Sequence, residues 1–581
     1  MSFRRVRLGR SMPVTGAVTL ALVATLLAAA PAPAAVPCTS PPQTFPTSQM
    51  TRGMSGVGYT VLQGTTVEPF DVQILGVMPN AIFLGVDIVA AKITGPAGFV
   101  ATTGGAVAGM SGSPIYINGK LAGAVAWAIA EDRQIFGMTA AEDMVGMFSL
   151  PGGSSGSRPA SVALTPQIHR AAAAAGSAIE PGATLESLPI PIGVSGLNGM
   201  PLAKVERSFA DRGIRVQAFR AGSVDAPTAV TLDPTPLAPG EGLGVALAYG
   251  DASLYGFGTA TAVCGDTVIG FGHPMFWGIG PVSLGMNEVE VIAIDNGNFW
   301  GTKIGVLGDA RGSMTQDRFS GVAGVFGTLP TLVPITSHVS SPDTGLSRVG
   351  ETEVAWDQDS FVADAAYYHA WANLSFVAQQ DGPGTLGLEW TISGTREDGS
   401  PFTVSNRLMA FNTYSGASEA WPLPNMLSTL ASNGFEDIQF TGVNMTGDIT
   451  NENLTSQIER VRVSSPLQRS LKERSVLRAG PGDRVTIEVT LNPIDRNTSV
   501  VSKLMFRVPH SARGSQEIRI SGGRGRLDFG RGISSLDDLI AALNGGGHAN
   551  DLIVNGFGQA VTQAQDVIVG GRAGFTIQVV R

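Results

Sequence analysis

Short apolar runs separated by glycine-containing turns recur along most of the chain, and their pattern predicts β structure. Between residues 50 and 150, "GYTVLQGT" (Gly58–Thr65), "EPFDVQILGVM" (Glu68–Met78) and "DIVAAKITG" (Asp87–Gly95) mix β-branched and polar residues at strand spacing. Residues 241–345 have the same texture in "LGVALAYG" (Leu243–Gly250), "SLYGFGTATAVCGDTVIGFGHPMF" (Ser253–Phe276) and "GVAGVFGTLP" (Gly321–Pro330). Between them, "GGSSGSRP" (Gly152–Pro159) reads as a flexible break and "PTPLAPGEG" (Pro234–Gly242) as a second boundary. Residues 160–240 are mixed, with a helical alanine run near Ala171 and a strand-like "GIRVQAFRAG" (Gly213–Gly222).

Beyond residue 350 the texture changes. Residues 350–450 read as strands and loops with one short helical pattern near "PNMLSTLASNG" (Pro424–Gly434). "DRVTIEVTLNP" (Asp483–Pro493) and "SKLMFRVPH" (Ser502–His510) alternate, so 451–515 reads as one small β-sandwich. In the tail, 516–581, "SLDDLIAALNGG" predicts a short helix capped by Ser535 and ended by Gly545.

Residues 1–35 carry Arg4, Arg5, Arg7 and Arg10, then the apolar run Gly16–Ala30, then small residues before Val36. That is the order of a secretory signal peptide. A membrane anchor is the alternative, but the run is shorter than the ~20 residues a span needs. The expected location is therefore secreted or extracytoplasmic, at the cell surface or in a periplasm. Composition adds three limits. With 43% hydrophobic and 15% charged residues, the 581-residue chain can bury several cores. The net charge of −9 becomes about −13 once the leader's four arginines are removed, and no basic block remains, which argues against nucleic acid as a partner. No later segment is apolar and long enough to span a membrane. The two cysteines, Cys38 and Cys264, suit a disulfide in an oxidising compartment; two free thiols are the alternative. They and the scattered histidines give no zinc-site spacing.

The chemistry concentrates in "GAVAGMSGSPIYINGKLAGAVAW" (Gly105–Trp127). A strand leads into Gly109-Met-Ser-Gly-Ser-Pro114, a second strand follows, Asn118-Gly119 predicts a two-residue hairpin, and "LAGAVAW" returns. Ser111 thus sits on a tight turn whose glycines let backbone N–H groups point outward at an oxyanion, with Gly109 and Ser111 as donors. A plain structural turn would use the same small residues.

The longer match resembles the nucleophile loop of chymotrypsin-fold serine peptidases through Ser111, Gly112, Pro114, Gly119-Lys120-Leu121, Gly123 and Val125-Ala126-Trp127. A closer resemblance is to the SpoIVB-type serine peptidases, which carry Gly-Met-Ser-Gly-Ser-Pro itself, with similarity from "GYTVLQGTTVEPFDVQILGV" to about Met147. The resemblance implies Ser111 as nucleophile, with Ser113 a turn residue. It also implies a chymotrypsin-like double β-barrel core of mainly β structure, followed here by C-terminal β-sandwich-like modules. No metal or organic cofactor is implied.

A serine nucleophile needs a base. Of six histidines, His273 stands at a strand end beside Gly272, in a segment that resembles the Phe-Gly-x-x-Gly-His region of the same peptidases. Ser111 precedes His273 by 162 residues, whereas the resembled families place His first. Exchanging the order of two closed barrels leaves the cleft between them intact, so the reading is a circularly permuted core: 36–150 as the Ser-bearing half, 151–240 as a mixed linker or insertion, and 241–349 as the His-bearing half. Pairing of halves from two chains is a second route to the same site. The acid is open. The family's Lys-Ile-Thr-Asp reads Lys92-Ile93-Thr94-Gly95 here, so that carboxylate is lost. Chymotrypsin-like spacing points to Asp317, 44 residues after His273; Asp87, Asp295 and a dyad oriented by a backbone carbonyl are the alternatives.

The expected function is exported serine endopeptidase, with a protein or peptide substrate and a small or apolar side chain before the cleaved bond. Two rivals stand beside it. One is an inactive peptidase-like binding scaffold. The other is a surface adhesion protein whose C-terminal modules bind cell wall or a protein partner.

Overall fold

The computed structural model describes residues 37–154, 161–197, 200, 202–276, 282–297, 299–355, 361–379, 382–411, 422–495, 498–523, 532–545 and 548–580. The signal-peptide reading falls outside them, as does most of the break expected at Gly152–Pro159. The chain is mainly β.

Six strands close the first barrel: β1 (Ser55–Val61), β2 (Val67–Phe83), β3 (Val86–Gly95), β4 (Pro114–Ile117), β5 (Lys120–Ala128) and β6 (Ile135–Ala140). Their order is β4-β1-β2-β3-β6-β5, and β5 pairs back with β4. Asn118 and Gly119 both take positive φ, 50° and 76°, which is the hairpin chemistry their sequence predicts between β4 and β5. Helix α1 (Ala97–Thr103) bridges β3 and the turn; α2 (Ala141–Val145) follows β6. Next come β7 (Gly153–Ser154), β8 (Ser161–Ala163), α3 (Pro166–Ala174) at the predicted alanine run, and β9 (Thr184–Ser187), which with β8 extends the first sheet beyond β5.

The second sheet starts with β10 (Ile190–Val194), α4 (Leu202–Ala210) and β11 (Val216–Arg220). Its barrel is β12 (Gly242–Gly250), β13 (Leu254–Cys264), β14 (Thr267–Gly270), β15 (Leu284–Asp295), β16 (Thr302–Arg318) and β17 (Gly321–Phe326), ordered β13-β14-β17-β16-β15-β12 and closed by β12 on β13. Closure leaves neither ring with a free edge. The similar textures of 50–150 and 241–345 thus correspond to two six-stranded barrels. The barrels meet through Leu121, Ala124, Ala141, Met144 and Met147 against Ala262, Ile269 and Ala323. The disulfide Cys38–Cys264 ties the N-terminal segment to the end of β13.

The second sheet continues past β12 through β19 (Ser347–Val354), β18 (Val333–Ser340), β22 (Ile438–Thr450), β20 (Thr385–Arg396) and β21 (Pro401–Phe411). Against it pack α5 (Phe361–Ala378) and α6 (Pro422–Ala431). The 18-residue α5 corrects the reading of 350–450 as strands with one short helix. Most of its faces are apolar and buried, so its sequence has no amphipathic stripe to announce it.

At the C-terminal end, β23 (Thr455–Ser465), β24 (Gln468–Lys472), β26 (Arg484–Pro493) and β27 (Val500–Arg507) form one sheet with β31 (Ile568–Gly570). A second sheet joins β25 (Val476–Ala479), β32 (Arg572–Val579), β28 (Ser515–Gly522), β29 (Asp551–Gly556) and β30 (Gln559–Ala564). The two share one apolar core. Helix α7 (Leu536–Asn544) is capped by Ser535 and ends at Gly545.

Candidate active site

The nucleophile turn leaves the first barrel and docks on the second. Ala108 bridges Thr302 at the start of β16. Gly109 and Gly112 then take φ of +92° and +96°, in the left-handed region that suits glycine. Strand β13 holds the turn from below. Thr259 N–H donates to Ser111 O (2.7 Å), Thr259 Oγ1 to Gly109 O (3.0 Å) and Thr261 Oγ1 to Gly112 O (2.7 Å). A Cβ on Gly112 would stand 2.0 Å from Thr259 O, so the close approach itself requires glycine. With the turn's carbonyls engaged, the N–H groups of Gly109 and Ser111 donate to no group among the described residues.

The histidine arrives from the opposite barrel. After β14, Phe271 and Gly272 take φ of 65° and 64° in succession. A bulky aromatic residue in that region is strained, a feature that clusters at functional sites. Gly272 O accepts from Thr139 Oγ1 of β6, and the Phe271 ring stands edge-on to His273 at 6.1 Å. His273 Nε2 lies 2.8 Å from Ser111 Oγ. His273 Nδ1 lies 2.7 Å from Pro274 O. A carbonyl only accepts, so Nδ1 carries the proton and Nε2 presents its lone pair to the serine hydroxyl. Ser111 is 3% exposed and His273 fully buried.

The carboxylates fall differently. Asp317, on β16, is buried; its two oxygens accept from Met275 N–H (2.7 Å) and Phe276 N–H (2.8 Å). Met275 N–H and Pro274 C=O belong to one peptide group. Asp317 therefore grips the nitrogen side of the same peptide whose oxygen grips His273. Asp87 accepts from Asn80 N–H in the β2–β3 hairpin, and Asp295 from Gly297 N–H after β15. Gly95, where the family pattern has aspartate, pairs with Asp71, and a Cβ there would stand 3.1 Å from an Asp71 carboxylate oxygen. His369 is buried on α5 between Thr352 Oγ1 (2.9 Å) and Ser337 Oγ (2.8 Å); burial pushes it down to about 4.

One residue escaped the sequence reading. Lys303 on β16 is buried, its N–H donates to Ala108 O, and its side chain lies against Gly109. Its Nζ donates to Thr60 Oγ1 (2.7 Å), which also accepts from Ser113 Oγ (2.9 Å). Burial lowers this amine from 10.5 to about 7. Nothing local in "GTKIGV" signals a buried lysine; only the docking of the turn on β16 makes it one. Among the described residues, no group of three or more His, Cys, Asp or Glu side chains is placed to hold a metal ion.

No curated protein and no solved structure matches the chain. Residues 40–145, which carry Ser111 and its turn but not His273, match the family model described as SpoIVB peptidase S55, and in that segment the chain is similar to the SpoIVB-type serine peptidases.

Proposed function

We propose that the chain is an exported serine endopeptidase acting through Ser111 and His273. The observation that carries this reading is the 2.8 Å contact between Ser111 Oγ and His273 Nε2, made across two barrels from residues 162 apart in sequence. His273 accepts the Ser111 proton as Oγ bonds to the scissile carbonyl carbon. The N–H groups of Gly109 and Ser111 receive the oxygen as it becomes negative. The imidazolium then protonates the leaving amine, and water, activated by the same base, hydrolyses the acyl-serine.

Asp317 enters through a peptide group. Its charge on Met275 N–H draws electron density toward Pro274 O, which strengthens that oxygen as the acceptor for His273 Nδ1–H. Asp317 is in this sense a positioning residue. The permuted barrel order accounts for a His-bearing half that follows the Ser-bearing half. The Cys38–Cys264 pair suits an oxidising, extracytoplasmic location, and the C-terminal two-sheet module is read as a binding addition for cell wall or a protein partner.

A binding scaffold without turnover is the second reading, favoured by a neutral carbonyl rather than a carboxylate at Nδ1. A fluorophosphonate probe separates the two. The folded protein should be labelled, and both Ser111→Ala and His273→Ala should abolish labelling. A folded protein that takes no label, either as it stands or after the segment beside the buried site is opened, overturns the peptidase reading.

A further inference from the structure

Three different partners follow one another along one edge of β5. Strand β4 pairs with it from Lys120 to Ala124. At Val125 the nucleophile turn takes over: Gly112 N–H donates to Val125 O (2.7 Å), and Val125 N–H to Ser113 O (3.0 Å). At Ala126 the edge passes to a distant part of the chain, as Leu188 N–H donates to Ala126 O (3.1 Å). Strand β9 then continues antiparallel, pairing Ser187 with Trp127 and Glu186 with Ala128. The opposite edge of β5 belongs to β6, and the ladder between them shifts register between Val125 and Trp127. Such a bulge lets the carbonyls of successive residues, Val125 and Ala126, face the same edge. Leu188 is therefore the next residue along the rail that holds the nucleophile turn.

The side chains agree with this. Leu188 is buried in the apolar cluster that includes Ala106, Val107, Met110, Val125 and Ala128, the residues leading into and flanking the turn. After Pro189 the chain enters β10, which pairs with β13, the strand that holds the turn from the second barrel. The segment thus passes from the Ser111 barrel to the His273 barrel, and both reactive side chains are buried.

Extended peptides bind proteins by adding a strand to a sheet edge, with main-chain hydrogen bonds for affinity and side-chain slots for specificity. We propose that Thr184–Leu188 is an internal pseudosubstrate: it occupies the β5 edge from Ala126 to Ala128, where the acyl side of an extended peptide substrate would pair, and keeps the site closed. The slot filled by Leu188 takes a leucine-sized apolar residue next to the cleaved bond. This rests on the reading of Ser111 as nucleophile. Pro189 follows Leu188, so the bond after the slot is a prolyl tertiary amide that lacks the N–H of an ordinary scissile bond, and its carbonyl is not held by the Gly109 and Ser111 N–H groups, as suits an occupant that is not cleaved. An occupant tethered in the same chain has a high effective concentration, so a free peptide enters only when the strap lifts.

The test uses the full chain with a specific protease sequence built into the exposed turn at Glu180–Gly182, between α3 and β9, cut after folding. A second protein carries Leu188→Ala. Fluorophosphonate labelling of Ser111 should accelerate at least about tenfold on cutting, and also in Leu188→Ala, as the tethered occupant is weakened. A free peptide Thr-Leu-Glu-Ser-Leu should slow labelling of the cut protein, and the same peptide ending in Asp should not. Equal labelling of closed and opened proteins, with buried-tryptophan fluorescence unchanged, overturns the strap and leaves the nucleophile reading standing. No labelling of either form overturns both.

Discussion

Lys303 offers a measurement independent of catalysis. Its ammonium is buried with Thr60 Oγ1 as hydrogen-bond partner, and burial lowers it from 10.5 to about 7. The unfolded chain therefore holds this proton more tightly than the folded one. Below pH 7 both states are protonated and the folded state carries the full penalty; across the window from about 7 to 10.5 the folded lysine is neutral while the unfolded one is still charged, so stability rises with pH. At about 1.4 kcal/mol per tenfold in proton affinity, the penalty at pH 6 is on the order of 5 kcal/mol, falling below about 1 kcal/mol near pH 10. Lys303→Met removes the charge and keeps an unbranched apolar chain. It also removes the amine's hydrogen bond to Thr60 Oγ1, worth about 1 kcal/mol beyond the charge-dependent part, while Thr60 Oγ1 keeps Ser113 Oγ as a partner. The variant should thus be more stable than wild type by about 4 kcal/mol at pH 6 and about equally stable near pH 10. Urea unfolding followed by tryptophan fluorescence at both pH values reads the difference, with Trp127 buried in the first barrel and Trp300, from the β15–β16 connection, buried against it. A variant equally destabilised at both pH values would refute the reasoning.

Gly112→Ala should destabilise by about 2–4 kcal/mol, because it adds strain at φ +96° to a 2.0 Å approach to Thr259 O; the urea midpoint reads this, and a shift within error contradicts the docking of the turn on β13. Replacing Cys38 and Cys264 by serine opens a loop of 226 residues and should cost up to roughly 5 kcal/mol on the chain-entropy account, seen as a lower urea midpoint that reductant does not lower further.

Where local chemistry decides, the sequence was legible. Asn118-Gly119 forms its hairpin and Ser535 caps its helix because a few neighbouring residues suffice for each. The two barrel textures and the nucleophile turn were visible for the same reason. Features made by distant segments were not. The parallel pairings of β31 on β23 and β32 on β25 draw residues 568–579 into sheets whose first strands start at Thr455 and Val476, which no short window of sequence reports. Lys303 is buried only because β16 meets the turn. Leu188, in "ESLPIPIG", has no mark of proximity to Ser111; its hydrogen bond to Ala126 spans some sixty residues. His273 was reachable because its glycine-flanked setting is local, whereas its Nδ1 partner depends on how the loop folds back.

That partner makes Asp317 the sharpest remaining test. The spacing pointed to this carboxylate, and the structure sets one planar peptide between it and the imidazole. Asp317→Asn keeps the size. One amide oxygen can still accept from Met275 N–H, but the amide NH₂ then faces Phe276 N–H, donor against donor, and the negative charge is gone. Pro274 O remains and still selects the Nδ1–H tautomer. The labelling rate should therefore fall by about ten- to a hundredfold, well short of the 10⁴ that follows when the tautomer itself is lost. The pH profile distinguishes positioning from mere support. A negative charge relayed to His273 favours the imidazolium, so removing it lowers the histidine's proton affinity and moves the base-dependent limb of the rate toward acid. A purely structural Asp317 would lower the amplitude and leave that limb where it was. An unchanged rate in a folded Asp317→Asn protein would mean that Pro274 orients His273 without help, and that the pair works as a dyad.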